Sequence, residues 1–182
     1  AIAASLDAIA AALDRLAPPP PPPAPALDAG TTSFVWAHGQ LRAVRPAPTQ
    51  PLDCFEGVDA QKAALYENCR RLAAGLPAHD VLLWGARGMG KSSLVKAVHA
   101  ALGVAGMPMA LVQVGRDDIA SLGVLFDTLA AQPLPALVFA DDLSFEADEH
   151  QYKALRSVLE GGIAARPDNV RVIVTSNRRH LV

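Results

Sequence analysis

The sequence predicts a three-layer α/β fold, a parallel sheet with helices on both faces, and three observations predict it. Strand-like and helix-like patterns alternate from about residue 52 to residue 182. The strand-like segments are short and apolar throughout, as strands covered on both faces are. One of them, Val81-Leu82-Leu83-Trp84, runs straight into a glycine-rich loop followed by a helical pattern.

In chain order, residues 1–17 come first. Ile2, Leu6, Ile9, Leu13 and Leu16 recur at steps of four and three, so they share one helical face in an alanine background. With barely two heptads, this helix is expected to pack on its own domain rather than on a partner helix. Residues 18–23 are all proline and Pro25 follows. Consecutive prolines fix φ and lack N–H donors, which makes an extended polyproline II spacer, with an SH3-type ligand the lesser alternative. Residues 33–44 carry β-branched and aromatic side chains and read as a short strand or hairpin arm. Residues 18–51 together are therefore set down as linker plus arm, and 52–182 as the main domain. Within it Val58, Leu65, Cys69 and Leu72 mark a helix. Residues 81–84, 109–114, 137–140 and 170–176 read as strands, and 91–102, 120–130 and 150–161 as helices. Tyr152, Leu155, Val158 and Leu159 give the last helix its apolar face.

The bulk numbers narrow the function classes. The 182 residues are 51% apolar and 19% charged, with a net charge of −2. That balance argues against a broad electrostatic footprint for nucleic acid. No apolar run is long enough to span a bilayer, and the start, with Asp7 and Asp14, lacks the pattern of a secretory leader. A cytoplasmic protein without a membrane partner is expected. Cys54 and Cys69, and five scattered histidines, show no zinc-ligand spacing; two reduced, partly buried thiols are expected.

Gly85-Ala86-Arg87-Gly88-Met89-Gly90-Lys91-Ser92 fits G-x-x-x-x-G-K-[ST] at every fixed position, between a strand and a helix. This makes the expected fold a three-layer P-loop NTPase fold. Three glycines let the backbone close around phosphate oxygens, and the following helix adds its positive end. Lys91 is expected at the β- and γ-phosphates and Ser92 on Mg²⁺. The strand Leu137-Val138-Phe139-Ala140 ends in Asp141-Asp142. Ligands of open α/β sheets sit at carboxyl ends of strands. Asp141 is assigned to Mg²⁺ and Asp142 to the attacking water, since adjacent strand residues face opposite ways. Glu146, Asp148 and Glu149 suit a helix start, with Glu146 a substitute carboxylate. The strand 170–176 runs into Asn177, a candidate for the γ-phosphate or the water. Arg178 and Arg179 follow, placed to stabilise transferred charge in cis or across a subunit interface.

Together these segments resemble an AAA-type ATPase: Gly85 to Ser92 matches Walker A, Leu137 to Asp142 resembles Walker B, and Asn177 matches sensor 1. More closely, Leu82 to Lys96, Asp141-Asp142-Leu143-Ser144-Phe145-Glu146 and Thr175-Ser176-Asn177-Arg178-Arg179-His180-Leu181 resemble a bacterial family of AAA-type ATP-binding proteins of undefined role. Phe55-Glu56-Gly57-Val58-Asp59 looks like that family's first segment, a region that lines the adenine pocket of AAA proteins. The resemblance implies ATP and Mg²⁺ as cofactors. Nucleotide contacts would run over Gly85 to Ser93, including Ala86, Arg87, Met89 and Ser93, with Gly57 and Val58 at the base. Two departures stand out. AAA ATPases carry Glu where this chain has Asp142, one methylene shorter. The helical lid and sensor 2 would lie beyond Val182, so the chain is expected to be an AAA-type core lacking its C-terminal lid.

The expected function is Mg-dependent ATP hydrolysis coupled to remodelling of an unknown protein partner, with a homo-oligomer through the AAA domain as one assembly. The alternatives are a nucleotide-dependent binding module with little turnover, and a nucleic-acid-handling helper supported by Arg178 and Arg179 alone.

Overall fold

A computed structural model describes residues 25–28, 30–143 and 167–177. The helix expected over 1–17, the six-proline run, Glu146 with its acidic neighbours, the helix expected over 150–161, and Arg178 and Arg179 lie outside the described residues.

Strands β1 (Ser33–Ala37) and β2 (Gln40–Ala43) form a hairpin. Its turn residues, His38 and Gly39, both have positive φ (52° and 73°), which a tight two-residue turn matching the strand twist requires. A 3-10 turn at Leu52–Cys54 leads to α1 (Asp59–Ala73) and β3 (Val81–Trp84). Then come α2 (Lys91–Val104), β4 (Ala110–Val114), a 3-10 stretch over Arg116–Ser121 and α3 (Leu122–Ala130). Strands β5 (Ala136–Ala140) and β6 (Val170–Ser176) complete the described chain.

The six strands make one sheet in the order β2-β1-β4-β5-β6-β3. Every pairing is parallel except that of β1 with β2. The fold class read from the sequence is therefore the one observed, with an antiparallel strand added at one edge. The hairpin falls in the segment set down with the linker, yet it is joined to this sheet: β1 lies in register along β4, and Phe34 and Trp36 are buried in the core.

Strand alternation sorts the core into two layers. Val112, Val138, Val172 and their period-two neighbours face α3, which contributes Leu122, Leu125, Phe126 and Leu129. Leu111, Leu137, Phe139 and Ile173 face the other way, onto Leu94, Val95, Val98 and Leu102 of α2 and Leu65, Cys69 and Leu72 of α1. These helical sets recur at three and four residues, the spacing that makes one apolar stripe. Strand β3 departs from the expected two-faced cover. Among the described residues it pairs only with β6, and Leu82 and Trp84 are 38% and 53% exposed. A strand at the sheet edge has one neighbour, and here its outer face lines an open cavity.

Candidate functional site

The carboxyl ends of β3, β5 and β6 meet at one edge of the sheet, and the loop after β3 folds over them. The loop begins anchored, since the Gly85 amide donates to the Ser176 carbonyl at 3.2 Å. Gly88 and Gly90 have φ of 82° and 78°, conformations that side-chain-bearing residues rarely hold. A Cβ on Gly90 would also stand 3.6 Å from the Phe55 ring. Gly90 caps α2 without a side chain, which leaves the first-turn amides with no side-chain acceptor.

Lys91 is held by three oxygens. Its ammonium donates to the carbonyls of Gly85 (2.7 Å) and Ala86 (2.9 Å) and to Asn177 Oδ1 (3.1 Å). It thus ties the loop to the end of β6. Ser92 Oγ donates to Asp141 Oδ1 at 2.5 Å, joining the loop to the end of β5. The same carboxylate oxygen accepts Thr175 Oγ1 at 2.6 Å, and Thr175 Oγ1 in turn accepts the Asp142 amide at 2.7 Å. Asp142 has φ of 51°, a left-handed conformation that costs an L-residue about 1–2 kcal/mol. Its Oδ1 accepts Asn177 Nδ2 at 2.5 Å, its Oδ2 lies 3.5 Å from Arg116 Nη2, and its carbonyl accepts from the same guanidinium.

β5 ends at Ala140, one residue before Asp141. Strand alternation is therefore not what separates the two carboxylates. The left-handed backbone at Asp142 does this, sending Asp141 to Ser92 and Asp142 to Asn177 and Arg116.

Two cavities meet at the loop. One of about 300 Å³ is lined by Arg87, Gly88, Met89, Gly90, Lys91, Ser92, Ser93, Asp142, Thr175 and Asn177. The other, about 390 Å³, shares Met89, Gly90 and Lys91 with it and is mainly apolar, walled by Phe55, Val58, Leu82, Leu83, Trp84 and Leu94, with Gln61 as a polar group. Gly85 and Ala86 line this second space. Lys62 fixes the turn that carries Phe55 and Val58: its ammonium donates to the Phe55 carbonyl at 3.0 Å and lies 3.0 Å from Asp59. Gly57, with φ of 73°, makes that turn but lines neither cavity.

A family model described as "Protein of unknown function (DUF815)" matches residues 29–182. The chain belongs to the DUF815 family. Comparison of the DUF815 chain with curated proteins gives no match. Among solved structures, AMPPCP-bound DnaA from Aquifex aeolicus aligns over 74% of this chain and 44% of its own, at 17% identity and a TM-score of 0.50. The Thermotoga maritima RuvB Holliday junction branch migration motor aligns over 74% and 43%, at 17% identity and 0.45. The Aeropyrum pernix ORC1 protein in complex with DNA aligns over 68% and 39%, at 12% identity and 0.48. The DUF815 chain thus spans less than half the length of each. At such identity the likeness to DnaA is one of fold alone, a mostly parallel α/β sheet of the P-loop NTPase kind.

Of the residues singled out in the DUF815 sequence, the structure brings Lys91, Ser92, Asp141, Asp142 and Asn177 into one hydrogen-bonded group. It adds two that sequence reasoning missed. Thr175 is 1% exposed and bridges both aspartates; a hydroxyl two places before Asn177 in a buried strand was the available signal. Arg116 follows the end of β4, on the edge where ligand sites of such sheets lie, and that position was its signal. The apolar wall formed by Leu82, Trp84 and Leu94 was also missed, because strand and helix periodicity accounts for those residues as core.

Proposed function

We propose that this domain binds ATP with Mg²⁺ at the loop from Gly85 to Ser93. The observation that carries this reading is the Ser92 hydroxyl placed 2.5 Å from Asp141, beside an ammonium that occupies itself with carbonyl oxygens. The residues fit both groups. Lys91 now satisfies its donors with the loop's own backbone, and phosphate oxygens are stronger, charged acceptors for the same donors. Mg²⁺ is held in proteins by one or two carboxylates with waters and phosphates rather than by a protein cage. Ser92 and Asp141 are the groups that would hold it, and among the described residues no cluster of three His, Cys, Asp or Glu offers another place. When bound, the ion neutralises charge on phosphate oxygens. The apolar walls of Phe55, Val58 and Leu94 suit a flat base, with Gln61 available to its polar edge.

On this reading Lys91 anchors the phosphates, Asp142 orients or activates a water, and Asn177 holds Asp142 in place. Hydrolysis would be coupled to the remodelling of a protein partner, with Arg178 and Arg179 stabilising transferred charge. Assembly into a homo-oligomer through this domain fits that role. Handling of nucleic acid stays the lesser proposal, resting on the same two arginines. A second reading, nucleotide-dependent binding with little turnover, has its own observation: both Asp142 oxygens have partners, Asn177 and Arg116, and its carboxylate is short. Phosphate release from the protein separates the two readings. Robust turnover lost in Lys91→Ala and Asp141→Asn supports the first. Absence of turnover with intact ATP binding leaves the second, and absence of both removes the reading altogether.

A further inference from the structure

A third cavity, about 180 Å³, lies away from the P-loop, between β1, β4, α2 and the residues 44–49 that leave the hairpin. Lys96 and His99 line it from α2, Gln113 from β4, and Arg45 and Thr49 from the departing segment. Lys96 follows Lys91 by five residues, which turns it about 140° around the helix axis, so the two lysines serve different faces of α2.

The lining contains no Asp or Glu. Ion pairs among the described residues are Lys62 with Asp59, Arg70 with Glu67 and Arg116 with Asp142, so no described carboxylate pairs with Arg45 or Lys96. A third cation stands on the same sheet face. Val35 is in register with both Gln113 and Arg42, and residues in register across a sheet point to the same side. Gln113 is the one exposed residue of β4, a polar amide in an otherwise buried central strand. The Thr49 hydroxyl is buried with no hydrogen-bond partner among the described residues, a state that native proteins rarely leave without an ion or water to meet it.

Each of these groups can donate: a guanidinium, an ammonium, a hydroxyl and an amide. Their common complement is a compact group of concentrated negative charge with several acceptor oxygens. The volume is below the range of about 300–1,000 Å³ that drug-sized ligands occupy, too small to enclose a whole nucleotide. We propose that the cavity bounded by Arg45, Thr49, Lys96 and Gln113 is a second anion site that takes a phosphate group, free or as a small phosphomonoester. His99 also lines the cavity, with Nε2 paired with the Met109 carbonyl at 2.9 Å.

The test is calorimetric titration of the full chain with inorganic phosphate at constant ionic strength, in a Lys91→Ala background that strips the P-loop of its ammonium. Saturable binding is expected there, weakened about tenfold or more when Arg45→Ala and Lys96→Ala are added, since two charge-assisted contacts are lost. Thr49→Val, which alters no charge, should weaken it in the same direction. Competition by glycerol phosphate assigns the site to phosphomonoesters, and its absence assigns it to the free ion. No saturable binding in the Lys91→Ala background overturns the proposal. So does an affinity indifferent to Arg45 and Lys96, which would trace phosphate to the remaining P-loop amides. Neither result bears on ATP binding by the wild-type loop.

Discussion

Replacing Thr175 by valine removes a hydroxyl while keeping the shape of the side chain. The residue is 1% exposed, so water cannot take the hydroxyl's place easily. Two bonds are lost: the donation to Asp141 at 2.6 Å and the acceptance of the Asp142 amide at 2.7 Å. A hydrogen bond to a charged group contributes about 1.5–3 kcal/mol net, and a stranded buried donor costs about 1–3 kcal/mol. Valine's added methyl recovers part of this, about 0.8 kcal/mol per buried carbon. The net cost is then about 2–5 kcal/mol. For a chain of this size each kcal/mol moves the melting temperature by about 2–4 °C, so Thr175→Val should melt at least about 4 °C lower. Thr175→Ser keeps both bonds and loses one methyl, about 1 kcal/mol. Thermal unfolding followed by calorimetry or circular dichroism should therefore rank wild type above serine and serine above valine. A valine variant as stable as the serine variant would refute the bridging role given to this hydroxyl.

Arg116→Ala removes a half-exposed ion pair and the donation to the Asp142 carbonyl, and should lower stability by about 1–2 kcal/mol at most. On the proposed function it also frees one side of Asp142, so phosphate release should rise while ATP affinity stays within about fivefold; a fall in release would contradict the restraint. Cys54 is exposed, whereas burial pushes the Cys69 thiol up to about 12. A thiol reagent at neutral pH should label one cysteine in the native protein and two after denaturation, and two fast native labels would contradict the packing of α1. Burial lowers the His99 pKa below its ordinary 6.5, outweighing the Met109 and Thr32 carbonyls that raise it. The unfolded chain therefore binds a proton that the folded one refuses as pH falls below about 6.5, and stability should drop there. His99→Gln should flatten that part of the stability–pH curve, and an unchanged slope would remove His99 as its source.

Much of the fold could be read because single residues had one physical use. Strands Val81–Trp84 and Val170–Ser176 fall where the apolar runs placed them, since short runs bounded by turn residues leave no room for a helix. The pattern expected to be helical from residue 120 begins instead with a 3-10 stretch at Arg116, and α3 starts at Leu122. The apolar positions Ile119 and Leu122 are spaced by three and fit either helix, so periodicity could not choose. The pairing of β1 with β4 was hidden for another reason. Parallel pairing joins residues about eighty positions apart, and no local pattern records it. Within the site, the place of the loop between β3 and α2, and of Asp141 just after β5, could be read because each directly follows a short apolar strand. Thr175 and Arg116 act through contacts between strand ends, which exist only once the sheet order is known. Cys54 was expected to be partly buried and is exposed, because the 3-10 turn at Leu52–Cys54 buries none of its residues.

Calorimetric titration of ATP and Mg²⁺ into wild-type and Lys91→Ala protein reaches the central claim most directly. Saturable heat at one site per chain is expected from the wild type. Loss of the ammonium should weaken it about 30-fold or more, from the 2–5 kcal/mol that a buried, hydrogen-bonded charge partner is worth. No heat from the wild type, or equal affinities for the two proteins, would mean that the loop between β3 and α2 does not hold a triphosphate.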